Sequence, residues 1–216
     1  MKRSLGQESL KIIASLAMLI DHVGVVFLPW IGFRIIGRIS FPIFCFLLCE
    51  GAEHTRSPIR YAVRLAVGAL IAELPFDYLF YGGVDLTHSN VMVTLLLGLP
   101  VVLCVKRCPK PQYWLVAIIG SVALAELLGA DYGGVGVLMI AAFALPAPPI
   151  LRLLVMALLS LAAGGPVQIF ALLAFVPIWN YSGEKATASK VVKMMFYLFY
   201  PVHMAVLLLL QKICLG

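Results

Sequence analysis

The chain has 216 residues, of which 62% are hydrophobic and only 12% are charged, and its formal net charge is +6. A soluble domain carries about a quarter charged residues, so this composition excludes a soluble protein and predicts a polytopic transmembrane helical bundle. The apolar runs are continuous, which excludes the period-two alternation of a membrane β-barrel. We therefore expect one all-α transmembrane domain over residues 1–216.

Nine apolar runs, separated by polar, glycine or proline breaks, predict nine membrane spans. In chain order they cover 10–29, 34–52, 59–81, 89–105, 112–129, 132–147, 149–164, 166–181 and 191–212. Several of these runs are shorter than the ~20 residues of a typical transmembrane helix. The break at Gly164-Gly165-Pro166 is also compatible with a kink or a re-entrant hairpin, which leaves eight spans as the alternative.

The breaks between the runs are alternately basic and free of basic residues. Basic residues precede the first span or lie at every second break: Lys2, Arg3, Arg56, Arg60, Arg64, Lys106, Arg107, Lys110, Arg152, Lys185, Lys190 and Lys193. The breaks at 82–88, 129–131 and 164–166 contain no Lys or Arg. By the positive-inside rule, this alternation predicts a cytoplasmic N-terminus and, with nine spans, an external C-terminus. The same rule explains the positive net charge, so we expect no nucleic-acid partner.

The first apolar run contains the strongest functional signal of the chain. Lys11 and His22 lie eleven positions apart, so a helix would separate them by roughly 16 Å along its axis. Lys11 then marks one membrane face, while Asp21 and His22 lie deep in the hydrocarbon or toward the far side. Ionisable groups at such depth normally face a cavity, a partner or a reaction. A neutral His22 can act as a general base if another group fixes its tautomer, and Asp21, adjacent in sequence, is not automatically that group.

A larger set of polar residues is predicted on the same outer side of the membrane. With Asp21 and His22 it comprises Arg34, Arg38, Glu73, Asp77, His88, Asn90, Glu126, Asp131, Tyr132 and His203. Because so many ionisable side chains cannot face lipid, we expect them to converge on a solvated cavity. Glu73 and Asp77 share one helix face and are expected to point toward Arg34 or Arg38. A static salt-bridge network that locks the bundle is the alternative interpretation.

A basic stripe is predicted at the cytoplasmic mouth of the third span. Arg56, Arg60 and Arg64 follow one another at intervals of four residues, and His54 precedes them. Arginine pairs with phosphate through two parallel hydrogen bonds, so a phosphate-rich ligand would fit this stripe. Topology control and lipid headgroups are the alternative explanation. The five cysteines form no ligand set at zinc spacing, so we expect no metal.

Five segments of the chain resemble the TraX family. In order, they are LKIIASLAMLIDHVG, FRIIGRISFPIFCFLLCEGAEHTR, AELPFDYLF, NVMVTLLLG and FYLFYPVHMAVLLL. TraX-like proteins are integral membrane proteins named for a conjugation protein that N-acetylates the N-terminus of pilin. The resemblance therefore implies a multi-pass acetyltransferase in the inner, cytoplasmic membrane of a bacterium.

A looser similarity extends to the transmembrane acyltransferase-3 family. The first helix of that family carries a basic residue, ten intervening positions and a histidine, as at Lys11 and His22. There the histidine is implicated in catalysis and acyl-CoA enters from the cytoplasm. The resemblance implies that His22 is the catalytic base, and we expect Asp21 or another acid to tune it. It also implies that Arg38 and the stripe of Arg56, Arg60 and Arg64 bind the acetyl-CoA donor, and we assign Lys11 and His54 to the same donor site.

These patterns favour an integral membrane acetyltransferase that moves an acetyl group from acetyl-CoA to an amine or hydroxyl. The acceptor is assigned to Glu73, Asp77, Asn90, Asp131, Tyr132 and His203. Pilin is the acceptor that the resemblance implies, and other peptides, sugars and small amines stay open. A proton-coupled transporter or channel is the alternative, because intramembrane ionisable groups also form proton relays. A non-catalytic membrane scaffold is a third hypothesis for the function. The lipid bilayer is the expected surrounding, and exposed apolar helices would permit a homodimer.

Overall fold

The computed structural model describes residues 4–184 and 190–214, and it is 79% helical. The α-helices are α1 Gln7–Val26, α2 Ile31–Gly37, α3 Ser40–His54, α4 Pro58–Phe80, α5 Val91–Arg107, α6 Pro111–Leu127, α7 Gly133–Ala144, α8 Pro149–Ala162, α9 Phe175–Trp179 and α10 Lys190–Cys214. A 3₁₀-helix, Pro166–Ala174, lies between α8 and α9. The described residues contain no strand, only two isolated bridges. The predicted all-α bundle is confirmed.

Three helical stretches are long and apolar enough to cross a membrane. They are α1, the stretch Ile31–His54 that joins α2 to α3, and Met194–Cys214 of α10. Four further helical stretches are apolar but shorter: Pro111–Leu127, Gly133–Ala144, Pro149–Ala162 and Pro166–Trp179. Each of the nine predicted spans coincides with one helix or with two consecutive helices. The direction in which the chain crosses the membrane stays a prediction, since Lys2, Arg3 and Lys185 lie outside the described residues.

The predicted span 166–181 has a different local structure from a regular α-helix. Gly164 and Gly165 both have positive φ, 139° and 94°, and they reverse the chain after α8. The chain continues as a 3₁₀-helix and then as the short α9. A 3₁₀-helix rises about 2.0 Å per residue and an α-helix 1.5 Å, so the two together extend roughly 25 Å. This mixed helix thus approaches the ~30 Å hydrocarbon thickness with few residues.

Helix α1 lies at the centre of the packing that forms the site. It contacts α2, α3 and α10, while α10 also packs along α4. The core between these helices contains fully buried apolar side chains, among them Leu10, Ile43 and Met204. Ten buried polar or charged residues lie in the described part of the chain, and Asp21 and His203 are two of them. The bundle therefore surrounds a polar interior near α1.

Candidate active site

A cavity of about 1250 Å³ lies inside the bundle and is lined by α1, α3, α4 and α10. One part of its wall contains Lys11, His54 and Arg64, which we call the basic end. Another part contains the group that we call the histidine end: Asp21, His22, Arg34 and Arg38. Lys11 and His22 both belong to α1, so the two ends are roughly 16 Å apart along that helix. A typical small-molecule site has about 300–1,000 Å³, so this cavity has room for a large, elongated ligand.

The histidine end is built on close packing of α2 against α1. Gly24 and Gly37 allow this approach, because a Cβ at Gly24 would collide with Phe33 and a Cβ at Gly37 with the side chain of Asp21. Small residues commonly permit such close contacts between membrane helices. The packing brings two arginines of α2 and its C-cap next to a carboxylate of α1.

Asp21 pairs with both of these arginines. The Arg34 Nη1 atom lies 2.9 Å from Asp21 Oδ1, and Arg38 Nη2 donates to Asp21 Oδ2 at 2.7 Å. Arg38 Nη1 also donates to Gln168 Oε1 at 3.0 Å. These contacts explain why two arginines lie outside the basic alternation of the predicted loops. Both carboxylate oxygens of Asp21 are thus engaged by guanidinium groups, and the expected tuning of His22 by Asp21 stays a prediction.

His22 is paired with the second histidine of the site. Its Nδ1 atom lies 2.8 Å from Nε2 of His203, and the two ring planes differ by only 4°. The other nitrogen of His203, Nδ1, lies 2.8 Å from the carbonyl oxygen of Phe199. The ring of Phe80 meets the His22 ring edge-on at 5.5 Å. An imidazole from α10, and not a carboxylate, is therefore the partner that holds His22.

Asp131 and Tyr132 also line the cavity, from the turn between α6 and α7. The Asp131 backbone N–H donates to Ser89 O at 2.7 Å, and its carbonyl accepts from Thr94 Oγ1. The Tyr132 ring stacks on Phe41 at 4.0 Å. Surrounding protein raises the pKa of the Asp131 carboxyl to about 6, against opposing effects of Arg38 and of a hydrogen bond from the Tyr132 N–H. The structure thus brings these two predicted residues to the same cavity as His22.

A smaller cavity of about 190 Å³ adjoins the large one. Four residues line both: Phe76, Tyr81, Asp131 and Tyr132. His88 and Ser89 belong only to the smaller cavity. These residues come from the end of α4 and from the loops before α5 and α7. The shared residues thus join the smaller cavity to the large one.

Glu73, Asp77 and Asn90 do not have the predicted contacts. The pair Glu73 and Asp77 was expected to point toward Arg34 or Arg38, and this expectation is wrong. Glu73 accepts from the side-chain amide of Asn90, which also caps α5 by accepting from Met92 N at 3.0 Å. Asp77 accepts from the backbone N–H of Asp85 at 3.1 Å. The four-residue spacing does put Glu73 and Asp77 on one face of α4. Their contacts, however, are with the loop after α4 and with the start of α5.

Two further polar residues of the predicted outer group are also engaged in the loops. His88 lies 3.2 Å from Asp85 and stacks on Tyr81 at 4.7 Å. Hydrogen bonds from Thr87 lower the pKa of Asp85 to about 2. Glu126 accepts from the backbone N–H of Gly134 at 2.7 Å.

His203, which the sequence assigned to acceptor binding, is not among the described residues of the cavity wall. It contacts His22 from behind.

The arginine stripe contributes to the cavity through one of its three members. Arg64 lines the wall and lies over the rings of Tyr61 and Tyr197, 5.6 Å from each centroid. Arg56 and Arg60 are exposed and are not among the described lining residues, so phosphate binding along the whole stripe stays a prediction. Lys11 lies over Phe196 at 5.3 Å, and His54 Nδ1 lies 2.9 Å from Glu50 O. The basic end therefore consists of Lys11, His54 and Arg64.

Gln168 is a residue of the site that the sequence reasoning did not select. It is 4% exposed, lines the cavity and accepts from Arg38. The signal was present, because Gln168 is the one amide side chain inside the apolar run 166–178. Buried polar groups are normally hydrogen-bonded, so such an isolated amide indicates a partner on another helix.

Comparisons with known proteins find one family model and two relatives that match this chain. Residues 6–211 match the family model of the TraX protein. A probable fimbrial assembly protein of Dichelobacter nodosus, FimC of serogroup H1, is 30% identical, and the match covers 92% of each chain. An uncharacterized protein of Rickettsia prowazekii is 32% identical over 43% of this chain and 34% of its own length. No solved structure matches the chain significantly.

Proposed function

The chain belongs to the TraX family, and we propose that it is a membrane acetyltransferase of pilus or fimbrial assembly. It moves an acetyl group from acetyl-CoA to an amine or hydroxyl of an acceptor. The full-length similarity to a probable fimbrial assembly protein supports the biological setting. The observation that carries the chemistry is one cavity that joins Lys11 and Arg64 to His22. The proposed location is the inner membrane of a bacterium.

The donor enters at the basic end. Its phosphates pair with Lys11 and Arg64, because ammonium and guanidinium groups form strong charge-assisted hydrogen bonds with phosphate. The aromatic rings beneath both cations, Phe196, Tyr61 and Tyr197, hold their side chains along the cavity wall. The pantetheine arm of coenzyme A is long enough to extend from these cations toward His22. This arrangement puts the thioester at the histidine end.

His22 acts as the general base in this proposal. The acceptor nitrogen or oxygen attacks the thioester carbonyl carbon and loses its proton to His22 as the new bond forms. The carbon–sulfur bond then breaks, and His22 returns the proton to the departing thiolate, so acetylated acceptor and CoA leave with no net change in protons. General base catalysis by a positioned side chain typically contributes 10²–10⁴-fold in rate. An amine acceptor must arrive neutral, because its protonated form has no lone pair with which to attack.

Arg38 stabilises the negative charge that develops on the thioester oxygen. Its guanidinium lines the cavity and is fixed by Asp21 on one side and Gln168 on the other. A donor that is already oriented before the reaction needs no reorganisation when the charge appears. Asp21 therefore acts as a positioning residue for Arg38, and it is not assigned a proton transfer.

The acceptor approaches from the opposite end through the smaller cavity. Asp131, Tyr132, Phe76 and Tyr81 line both cavities and would contact it before it reaches His22. A pilin N-terminus is the acceptor suggested by the family, and an amino sugar or another peptide has the same nucleophilic group. With the donor and the acceptor on different sides of His22, acetyl transfer requires no carrier between the two membrane faces.

Binding of acetyl-CoA to the purified protein in detergent tests this proposal, by calorimetry with and without salt. We expect micromolar affinity that weakens about tenfold in Arg64→Gln, the cost of about 1.4 kcal/mol for one lost phosphate contact. Arg60→Gln is the matched control, since Arg60 precedes Arg64 by one turn but is not among the described residues of the cavity wall. His22→Ala is expected to bind like the wild type. No binding to well-folded protein at millimolar ligand would overturn the proposal and favour proton-coupled transport through the same cavity.

A further inference from the structure

We propose that His203 is a positioning residue that sets the tautomer of His22 through a relay beginning at the carbonyl of Phe199. The catalytic consequence of this inference rests on the proposed function, whereas the tautomer of His22 that it predicts does not. Three groups form the relay: the Phe199 carbonyl, the His203 ring and the His22 ring. Both contacts between them measure 2.8 Å.

The first step fixes the proton of His203. A backbone carbonyl oxygen only accepts hydrogen bonds, so Nδ1 of His203 must carry the hydrogen that it donates to Phe199 O. Neutral imidazole has one N–H, and Nε2 of His203 therefore presents its lone pair. The Phe199 ring stacks on His203 at 4.7 Å, which keeps the imidazole in this orientation.

The second step transfers the constraint to His22. Because Nε2 of His203 has only a lone pair, the 2.8 Å contact requires a hydrogen on Nδ1 of His22. His22 then has its lone pair on Nε2, the nitrogen that is not engaged with His203. His22 lines the cavity, whereas His203 is 6% exposed and lies behind it. The relay thus gives the proposed base an unprotonated nitrogen, available to the acceptor.

The surroundings favour a neutral pair of histidines. Aromatic rings of Phe80, Phe199 and Tyr200 pack around the two imidazoles. The charged groups that act on His22 are Arg34 and Arg38, with the Asp21 carboxylate held between those two guanidinium groups. A buried cation is costly without a paired anion, and the carboxylate here is already bound to both arginines. During the reaction, the charge that arises when His22 takes the acceptor proton can be shared with His203 along the Nδ1–H···Nε2 bond.

The ordinary preference of histidine makes the inference testable. A free neutral imidazole mostly carries its proton on Nε2, so the relay predicts the less common form, with hydrogen on Nδ1, for His22 in the wild type. The measurement is ¹⁵N NMR of protein labelled at histidine, in detergent. The chain has four histidines, and the spectrum of His22→Gln identifies the His22 signals by their loss.

Two variants of His203 separate the relay from simple packing. His203→Leu removes the acceptor while keeping an apolar side chain, and we expect His22 to change to the Nε2–H form. Turnover of acetyl-CoA should then fall on the order of 10²-fold, the lower bound of general-base contributions, with KM for acetyl-CoA unchanged. His203→Gln supplies an amide oxygen that can accept from His22 Nδ1–H, so it should retain the wild-type tautomer and most of the turnover.

Two results would overturn the relay: an Nε2–H tautomer of His22 in the wild type, or full turnover in His203→Leu. The NMR measurement needs no substrate. If the protein fails to bind or cleave acetyl-CoA but His22 has the Nδ1–H form, the relay stands and the acetyltransferase proposal falls. If the protein binds and cleaves acetyl-CoA but His22 has the Nε2–H form, the relay falls and the acetyltransferase proposal stands.

Discussion

The two ends of the cavity hold their charged groups in different ways. At the histidine end, Arg38 donates hydrogen bonds to both Asp21 and Gln168, and the Asp21 and Arg38 side chains are only 10% and 14% exposed. At the basic end, Arg64 is exposed and rests on two aromatic rings. The histidine end is thus defined by geometry that several helices must maintain together. The basic end supplies charge and tolerates movement of its side chains.

This difference predicts which substitutions abolish function and which only weaken it. A group that reacts must be placed within hydrogen-bond reach of the substrate, whereas a phosphate can be attracted by any nearby cation. Variants at the histidine end should therefore change turnover or folding, and variants at the basic end should change affinity.

His22→Gln is the substitution with the largest expected effect. It should lower cleavage of acetyl-CoA, in the presence of a peptide with a free N-terminus, by 10²–10⁴-fold. Release of the CoA thiol gives the rate, and calorimetry should show unchanged binding of acetyl-CoA to the same protein. Equal rates for His22→Gln and the wild type would eliminate His22 as the base.

Asp21→Asn should cause the largest loss of stability. Removing one partner of a buried ion pair typically costs about 3–5 kcal/mol, and here Arg38 would keep its charge with little access to solvent. Unfolding in detergent, followed by tryptophan fluorescence, measures the loss.

Arg34→Gln is the comparison for Asp21→Asn. The Arg34 side chain is 37% exposed, and Asp21 would retain Arg38, so the loss should be clearly smaller. If both variants lose equal stability, the Asp21–Arg38 contact does not have the importance that its burial indicates.

Gly37→Ala tests the close approach of α2 to α1 with a single methyl group. The added Cβ would collide with the Asp21 side chain, and such overpacking typically costs about 1–3 kcal/mol. Gly120→Ala is the matched control, because a Cβ there meets nothing within 4 Å. In helix α6 that change should stabilise the protein by about 0.4–1 kcal/mol. Equal unfolding midpoints for the two variants would contradict the packing described here.

Asp131→Asn should have the smallest effect, a change in how the free energy of unfolding depends on pH. The pKa of Asp131 is raised from 3.8 to about 6 because surrounding protein atoms desolvate the carboxyl, so the folded protein binds this proton more tightly than the unfolded chain does. The resulting stability is fully present below about pH 4 and is lost as the pH rises through about 6. Asp131→Asn should therefore remove part of the decline between pH 4 and 6. Superimposable pH profiles of the unfolding midpoint would show that Asp131 does not titrate in this range.

Hydropathy predicted the helices well, because apolar runs and Gly or Pro breaks determine where a chain can span a membrane. The exception is the segment 166–181, where Gly164 and Gly165 introduce a turn and a 3₁₀-helix follows. Hydropathy does not distinguish a 3₁₀-helix from an α-helix, since both bury the same apolar side chains.

The site was predictable only in part. The depth of His22 and the spacing from Lys11 were visible in the sequence, and the structure brings both to one cavity. The partner of His22 was not predictable, because His203 is distant in sequence and meets it only through packing of α10 on α1. Glu73 and Asp77 show the same limit, since a shared helix face does not identify the neighbour that the face contacts.

The most direct test of the account is an electron cryo-microscopy structure with a thioether analogue of acetyl-CoA, using an antibody fragment to add mass. We expect the phosphates at Lys11 and Arg64. With a peptide amine bound beside the analogue, the acyl carbon should lie on the order of 3–3.5 Å from the nitrogen that hydrogen-bonds to His22 Nε2. A nucleotide bound at Asp131 and His88, or an acyl group distant from His22 in the main cavity, would contradict it.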